Sequence, residues 1–260
     1  MLNTLNTAAT GMTAQSRQIE NISNNLANAD TTAFKKSRTD FQDLLYHNLQ
    51  APGAATSATT QNPTGVQIGV GVRVAGNVRD HEDGTLRPTQ RDLDIAIEGK
   101  GFLAVQKPNG EIAYTRDGSL RMGPEGRIET ASGYPIVPET QVPPTSREIN
   151  FSFDGRIQVK NEQGETEEIG QIQLTNFANA SGLQAEGGNL YNATPASGAP
   201  VPGTPLEAGY GRIFQGYLEA SNVNPTVEMT DMIRAQRMYE LNSKVISTAD
   251  QMMNALNSVR

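Results

Sequence analysis

The chain has 260 residues and a net charge of -7; 36% of its residues are hydrophobic and 5% are aromatic. The low apolar content disfavours one large, tightly packed core, and the negative charge argues against nucleic acid or an anionic membrane as the main partner. Cysteine is absent, which excludes disulfides, thiolate metal sites and a cysteine nucleophile.

The first predicted element is a helix over residues 2–27. Its apolar residues recur with heptad spacing and form a stripe that a partner helix would cover. The stripe consists of Leu5, Ala8, Met12, Gln15, Ile19, Ile22 and Leu26. A cluster of Asn, Asp and Thr residues over 24–31 ends the helix, because these side chains compete for backbone hydrogen bonds.

The next segment, residues 31–70, is predicted to be an extended linker or clamp. Within it, residues 39–45 are predicted to form a short helix, because Thr39 and Gln42 have capping-box spacing. Residues 51–65 are rich in Ala, Thr and Pro and are predicted to be extended or mobile.

Residues 71–221 are predicted to form a β-rich domain. Alternating apolar residues predict a strand over 66–74 that leads into it, and further short strands are predicted at 95–97, 102–105 and 169–174. The connecting turns carry a residue pair that ends in glycine, which favours antiparallel hairpins. These pairs are Asp83-Gly84, Asn109-Gly110, Asp117-Gly118, Glu125-Gly126, Asp154-Gly155 and Gln163-Gly164. Residues 189–209 contain four prolines and resemble the segment at 51–65.

The last predicted element is a helix over 225–258, with Asn224 as its N-cap and Pro225 in its first turn. One apolar face repeats every seven residues and a second lies beside it. The first contains Met238, Leu241, Val245, Met252, Leu256 and Val259, and the second contains Met229, Ile233, Ile246 and Met253. This surface is wider than one partner helix needs, which predicts contacts to more than one neighbour. A simple intramolecular hairpin of the two terminal helices is the alternative.

Together these elements predict an α+β fold. The terminal helices, residues 1–30 with 222–260, would form a coiled-coil-like assembly domain. The extended segment 31–70 would connect it to the central antiparallel β-rich domain, residues 71–221.

Candidate catalytic, cofactor-binding and metal-binding side chains are scarce, and the sequence predicts no such site. His47 and His81 lack ligand-spaced neighbours. Asp92 and Asp94 would share one strand face, but the Gly and Glu of a calcium loop are missing. There is no G-x-S-x-G elbow. The sequence also predicts neither a transmembrane segment nor an ordinary signal peptide.

Several of these stretches resemble the axial proteins of the bacterial flagellum, which form its rod and hook. Residues 23–28 (SNNLAN) and 31–35 (TTAFK) are similar to the N-terminal rod signature, although the family usually has Gly where Ala33 stands. Residues 218–224 (LEASNVN), with Glu228-Met229 and 236–240 (QRMYE), are similar to the C-terminal signature. Residues 99–102 (GKGF) and 114–119 (YTRDGS) resemble the shared middle domain. The stretch from Asp43 to Arg73 resembles the distal rod members in particular.

This resemblance implies a structural, non-enzymatic subunit of the distal rod, which polymerises into a helical tube and transmits torque from motor to hook. A proximal rod or hook subunit is the alternative, and a secreted β-rich enzyme or carbohydrate-binding protein is a distant one. The implied location is the basal-body rod in the periplasmic space, reached without a cleaved signal peptide. No cofactor, nucleic acid or membrane insertion is expected. The implied partners are further copies of the chain, proximal rod proteins, the hook protein, the peptidoglycan and outer-membrane ring proteins, the rod cap and the flagellar type III export apparatus.

The predicted assembly interface takes residues from both helices and from both terminal signatures. Its N-terminal members are Leu5, Met12, Ile19, Ile22, Asn25, Leu26, Asn28 and Phe34. Its C-terminal members are Asn222, Asn224, Met229, Ile233, Arg237, Tyr239, Val245, Met252 and Leu256.

Overall fold

The computed structural model describes residues 2–50, 64–144, 146–161 and 165–258. The chain divides into two compact units: unit 1 contains residues 1–27, 37–79 and 224–260, and unit 2 contains residues 28–36 and 80–223. Unit 1 is almost neutral, with 8 Lys and Arg against 7 Asp and Glu, whereas unit 2 has 13 against 21. The excess negative charge therefore lies in unit 2.

Two long helices form the frame of unit 1. Helix α1 spans Leu2–Ala27 and helix α2 spans Pro225–Ser258, which confirms both predicted helices. The predicted N-cap of α2 is also present, because the Asn224 side-chain oxygen accepts a hydrogen bond from the Thr226 N–H at 3.1 Å.

The two helices pack against each other through small residues. Ala8 on α1 and Ala235 and Ala249 on α2 are buried. A Cβ added to Gly11 would lie 3.0 Å from the Asn242 side-chain nitrogen, so the helices approach closely at this point. The heptad of α2 on this packed face is therefore Ala235, Asn242 and Ala249. The apolar heptad of Met238, Val245 and Met252 remains about half exposed.

The rest of unit 1 is an antiparallel β arm. Its strands are β1 (Ser37–Asp43), β2 (Tyr46–Gln50), β3 (Val66–Gly69) and β4 (Val72–Arg79). β1 pairs with β4, and β2 pairs with β3. The short helix predicted at 39–45 is wrong, because residues 39–43 belong to β1 and pair with β4. The strand predicted at 66–74 is interrupted at residues 70–71, and most of the segment predicted at 51–65 lies outside the described residues.

Unit 2 is built from short strands in chain order. They are β5 (Leu86–Pro88), β6 (Ile95–Glu98), β7 (Phe102–Gln106), β8 (Ile112–Thr115), β9 (Arg121–Met122), β10 (Ile128–Glu129), β11 (Ile136–Val137), β12 (Ser146–Phe151), β13 (Arg156–Asn161), β14 (Thr166–Gln171), β15 (Leu174–Asn176), β16 (Gln184–Gly187), β17 (Leu190–Asn192), β18 (Val201–Gly203), β19 (Arg212–Gln215) and β20 (Tyr217–Glu219). Their pairings are antiparallel, as predicted.

The largest sheet of unit 2 has the order β16-β17-β8-β7-β15-β18, and β11 also pairs with β7. The strands predicted at 95–97 and 102–105 are confirmed. The predicted strand 169–174 is divided between β14 and β15, and the stretch 189–209 contains β17 and β18 of the large sheet.

Two apolar clusters hold unit 2 together. The main one is aliphatic, with Leu103, Val105, Leu174 and Ile213 among its fully buried members. The second is aromatic, and its Tyr114 and Phe177 rings lie 4.8 Å apart in an edge-to-face arrangement.

Candidate assembly surface

An exposed apolar row runs along helix α2. Met238, Leu241, Val245 and Met252, called the outer row here, are between 45% and 56% exposed. Their spacing of three, four and seven residues places them on one side of the helix. A row of large apolar side chains that the chain itself does not cover marks a surface for protein contacts.

Other predicted interface residues of α2 are also exposed. Met229, Ile233 and Tyr239 are 55%, 53% and 42% exposed, and Arg237 and Asn224 are exposed as well. The side chain of Leu256 lies outside the part of the structure that is described. Helix α2 thus presents apolar groups on more than one side.

The predicted interface residues of α1 are mostly covered within unit 1. Ile22 is buried, and Leu5, Met12, Ile19 and Leu26 are half-buried. Asn28 and Phe34, which belong to unit 2, are half-buried too. Helix α1 therefore uses its stripe largely inside its own unit.

Two signature asparagines make intramolecular hydrogen bonds. The side chain of Asn25 is buried, donates to the Ser37 carbonyl at 2.9 Å and accepts from the Ser37 N–H at 3.0 Å. It also donates to Glu228 at 3.2 Å, so it joins α1, β1 and α2. Within unit 2, the Asn222 side chain accepts from the Lys36 N–H at 2.7 Å and donates to the Asp80 carbonyl at 3.0 Å.

The β arm carries a second exposed apolar surface, called the arm tip here. Leu45 is 89% exposed and Leu49 is 65% exposed, while Tyr46, Val66 and Ile68 are between 42% and 54% exposed. Strands β2 and β3 pair only with each other among the described strands. Every residue of β2 and three of the four residues of β3 are exposed, so the arm tip is open to another molecule.

An open groove of about 370 Å³ lies between α1 and strand β4 of the arm. Its lining is mainly apolar and consists of Ala9, Thr10, Thr13, Ala14, Arg17, Val72, Arg73 and Val74. Thr7 and Thr10 attach the arm beside it, since Thr7 donates to the Val70 carbonyl at 3.3 Å and the Thr10 hydroxyl accepts from the Val72 N–H at 3.4 Å.

Unit 2 contains a buried ion cluster that the sequence analysis did not predict. The Lys35 ammonium donates to the Glu219 carboxylate at 2.6 Å, and Arg116 donates to the other oxygen of that carboxylate at 3.0 Å. Arg116 also donates to Asp83 at 2.9 Å. The side chains of Lys35, Glu219 and Arg116 are at most 2% exposed. We call these four residues the clasp.

The surroundings of Lys35 in the clasp disfavour its charged form. Burial lowers the pKa of Lys35 most, and the nearby Arg116 cation lowers it further, while Glu219 raises it. Backbone groups complete the cluster, because Lys35 also donates to the Glu82 carbonyl at 2.6 Å and Glu219 accepts from the Gly84 N–H at 2.9 Å. Buried charged groups require hydrogen-bond partners of this kind.

Within the described ranges, no group of three or more His, Cys, Asp and Glu side chains is arranged to hold a metal ion. The same part of the chain contains no helix with the length and hydropathy needed to cross a membrane.

Family models match three regions of the chain. "Flagella basal body rod protein" matches residues 5–35, "Flagellar hook protein FlgE/F/G D1 domain" matches 96–159, and "Flagellar basal body rod FlgEFG protein C-terminal" matches 215–259. Each region contributes one residue to the clasp. These residues are Lys35, Arg116 and Glu219, in chain order.

Full-length relatives carry the name flagellar basal-body rod protein FlgG. The protein of Buchnera aphidicola subsp. Acyrthosiphon pisum is 46% identical, and the match covers 100% of both chains. That of Caulobacter vibrioides is 46% identical over 98% of both chains. That of Borreliella burgdorferi is 41% identical over 100% of this chain and 99% of its own.

Proposed function

Because the chain belongs to the FlgG family of flagellar basal-body rod proteins, we propose that it polymerises through the apolar surfaces of unit 1 into a helical tube. It is a structural subunit of the distal rod and is located in the flagellar basal body. The tube transmits torque from the motor to the hook. The role of the family is structural, and it requires neither a substrate nor a bound group.

The observation that carries this proposal is the outer row of α2. Burying large apolar side chains that are about half exposed releases roughly 25 cal/mol per Å² of apolar area. Unit 1 is also almost neutral, so copies can approach through it with little charge repulsion. The acidic unit 2 is better suited to face solvent.

A polymer follows if the outer row of one copy meets a different surface on the next. A contact of this head-to-tail kind does not close on itself and generates a filament. The open groove between α1 and β4 and the arm tip are two apolar surfaces of unit 1 that further copies would cover. In this arrangement the arm, within the segment 31–70, acts as a clamp between neighbouring subunits.

The other components of the flagellum supply the remaining partners. Within a rod, the polymer meets proximal rod proteins at one end and the hook protein at the other. Its outside faces the peptidoglycan and outer-membrane ring proteins. The rod cap and the flagellar type III export apparatus act during assembly.

A charge placed in the outer row tests the proposal. We expect Val245→Asp to abolish polymerisation, because an unpaired carboxylate would be buried at the contact. Ser247→Asp is the matched control, since Ser247 is exposed on another side of the same helix. Sedimentation and electron microscopy of the purified protein, together with motility of cells that carry each variant, provide the measurement. Normal rods from Val245→Asp, or equal loss in both variants, would contradict the proposed surface.

A further inference from the structure

The buried clasp joins the three matched regions of the chain at one point of unit 2. Lys35 is the last residue of the N-terminal signature, Arg116 lies in the middle one and Glu219 in the C-terminal one. We propose that the clasp is a conformational device that fixes the N-terminal segment 28–36, called the lead-in segment here, only after the stretch around Glu219 has folded.

The lead-in segment makes backbone hydrogen bonds to two distant stretches of unit 2, and the Asn189 side chain also donates to the Thr32 carbonyl at 3.0 Å. The Ala33 N–H donates to the Glu219 carbonyl at 2.8 Å, and the Asn222 N–H donates to the Phe34 carbonyl at 3.3 Å. On the other side, the Asp80 N–H donates to the Lys36 carbonyl at 2.9 Å. Two of these three backbone hydrogen bonds thus depend on residues 219–222, which lie close to the C-terminal end of unit 2.

Glu219 is the central group of the clasp because it balances two buried cations. Its side chain is 0% exposed, and those of Lys35 and Arg116 are 1% and 2% exposed. Without the carboxylate, the two cations would have only Asp83 as a counter-charge, and the Asp83 side chain is 40% exposed. Removing one partner from a buried charge cluster is far more damaging than never having built it.

The two central residues of the clasp are far apart in sequence, so their contact cannot form locally. Lys35 and Glu219 are 184 residues apart. Local turns cannot close such a loop, so the contacts of the lead-in segment with residues 219–222 form only when most of unit 2 is in place. A chain that is delivered from its N-terminus therefore keeps this segment open until its C-terminal signature arrives. This consequence does not depend on the polymer contacts proposed above.

Hydrogen exchange on the full-length monomer tests the proposal. In Glu219→Gln, we expect the Ala33 and Asn222 amides to lose protection by about a hundredfold or more, while the amides of β7 and β8 keep theirs. Lys35→Met should show the same pattern more weakly, because Glu219 then still has Arg116 and the Gly84 N–H. This second variant decides the question if Glu219→Gln does not fold.

Two matched variants control for the changes in charge. Glu207→Gln alters an exposed carboxylate on a loop of unit 2, and Lys36→Met alters a neighbour of Lys35 that is 38% exposed. Both should exchange like the unmodified chain. Unchanged protection at Ala33 in Glu219→Gln and Lys35→Met would overturn the proposal. Equal loss of protection at Ala33 and in β7 and β8 would overturn it too, since the cluster would then only stabilise the unit as a whole.

Discussion

At the scale of single residues, Ala33 shows how backbone geometry explains a departure from the family pattern. Its φ angle is +55°, in the left-handed region that glycine adopts without strain. Its N–H donates to Glu219 and its side chain is buried. A glycine would adopt this conformation without strain, and this chain uses alanine, the smallest side chain that has a Cβ.

Substitution of Ala33 tests this reading. We expect Ala33→Gly to change the free energy of unfolding by about 1 kcal/mol or less, because relief of strain is offset by the larger entropy of glycine in the unfolded chain. Ala33→Val should lower it by about 2 kcal/mol or more, since a β-branched residue is strained at positive φ and overpacks the site. Urea unfolding followed by circular dichroism measures both. A valine variant as stable as the unmodified chain would show that the turn relaxes freely.

The signature asparagines Asn25 and Asn222 make hydrogen bonds within the chain. Asn25 and Asn222 were predicted at the assembly interface because they stand in recognisable motifs, yet their side chains are occupied by Ser37, Lys36 and Asp80. A motif in a sequence identifies a family, but it does not say whether the motif acts within the chain or between chains. The clasp was not predicted from the sequence, because its members are far apart along the chain.

At the scale of elements, the helices were predictable and the arm was not. Cap residues and apolar periodicity define α1 and α2 locally, so their bounds follow from the sequence. Strand β1 is different, because Thr39 and Gln42 have capping-box spacing but the stretch pairs with β4 more than thirty residues later. Long-range strand pairing overrides local propensity, and a single sequence does not reveal it. The sequence also did not indicate which face of α2 packs against α1, since small residues rather than large apolar ones permit the close approach.

Gly11 provides a test of that close approach. A Cβ at this position would lie 3.0 Å from the Asn242 side-chain nitrogen, which a flexible side chain can accommodate. We therefore expect Gly11→Ala to change stability by about 1 kcal/mol or less, with the better helix propensity of alanine offsetting the tight contact. Gly11→Leu should separate the helices and cost about 2 kcal/mol or more. Thermal unfolding of both variants is the measurement, and equal stability of the leucine variant would mean that the helices do not pack at Gly11.

At the scale of the whole molecule, charge and apolar surface are segregated between the two units. Unit 1 is nearly neutral and carries the outer row and the arm tip, while unit 2 holds the acidic excess and its own apolar clusters. The composition alone indicated an acidic middle and amphipathic ends. It did not indicate that residues 37–79 belong with the helices, because this assignment depends on contacts of the arm with α1.

Shortening the arm tests its role in the polymer. Asp43 and Val72 are cross-strand partners, so an Asn-Gly turn can join them and remove the arm tip while leaving β1 and β4 paired. We expect this variant to polymerise through α2 but to give bent or hook-like filaments, because the clamp between neighbours is lost. Electron micrographs of the polymers measure their curvature. The double variant Leu45→Ser with Leu49→Ser keeps the arm length and should weaken the clamp in part, which separates the effect of apolar contacts from that of length. Straight, stiff rods from the shortened chain would show that stiffness resides in the helices alone.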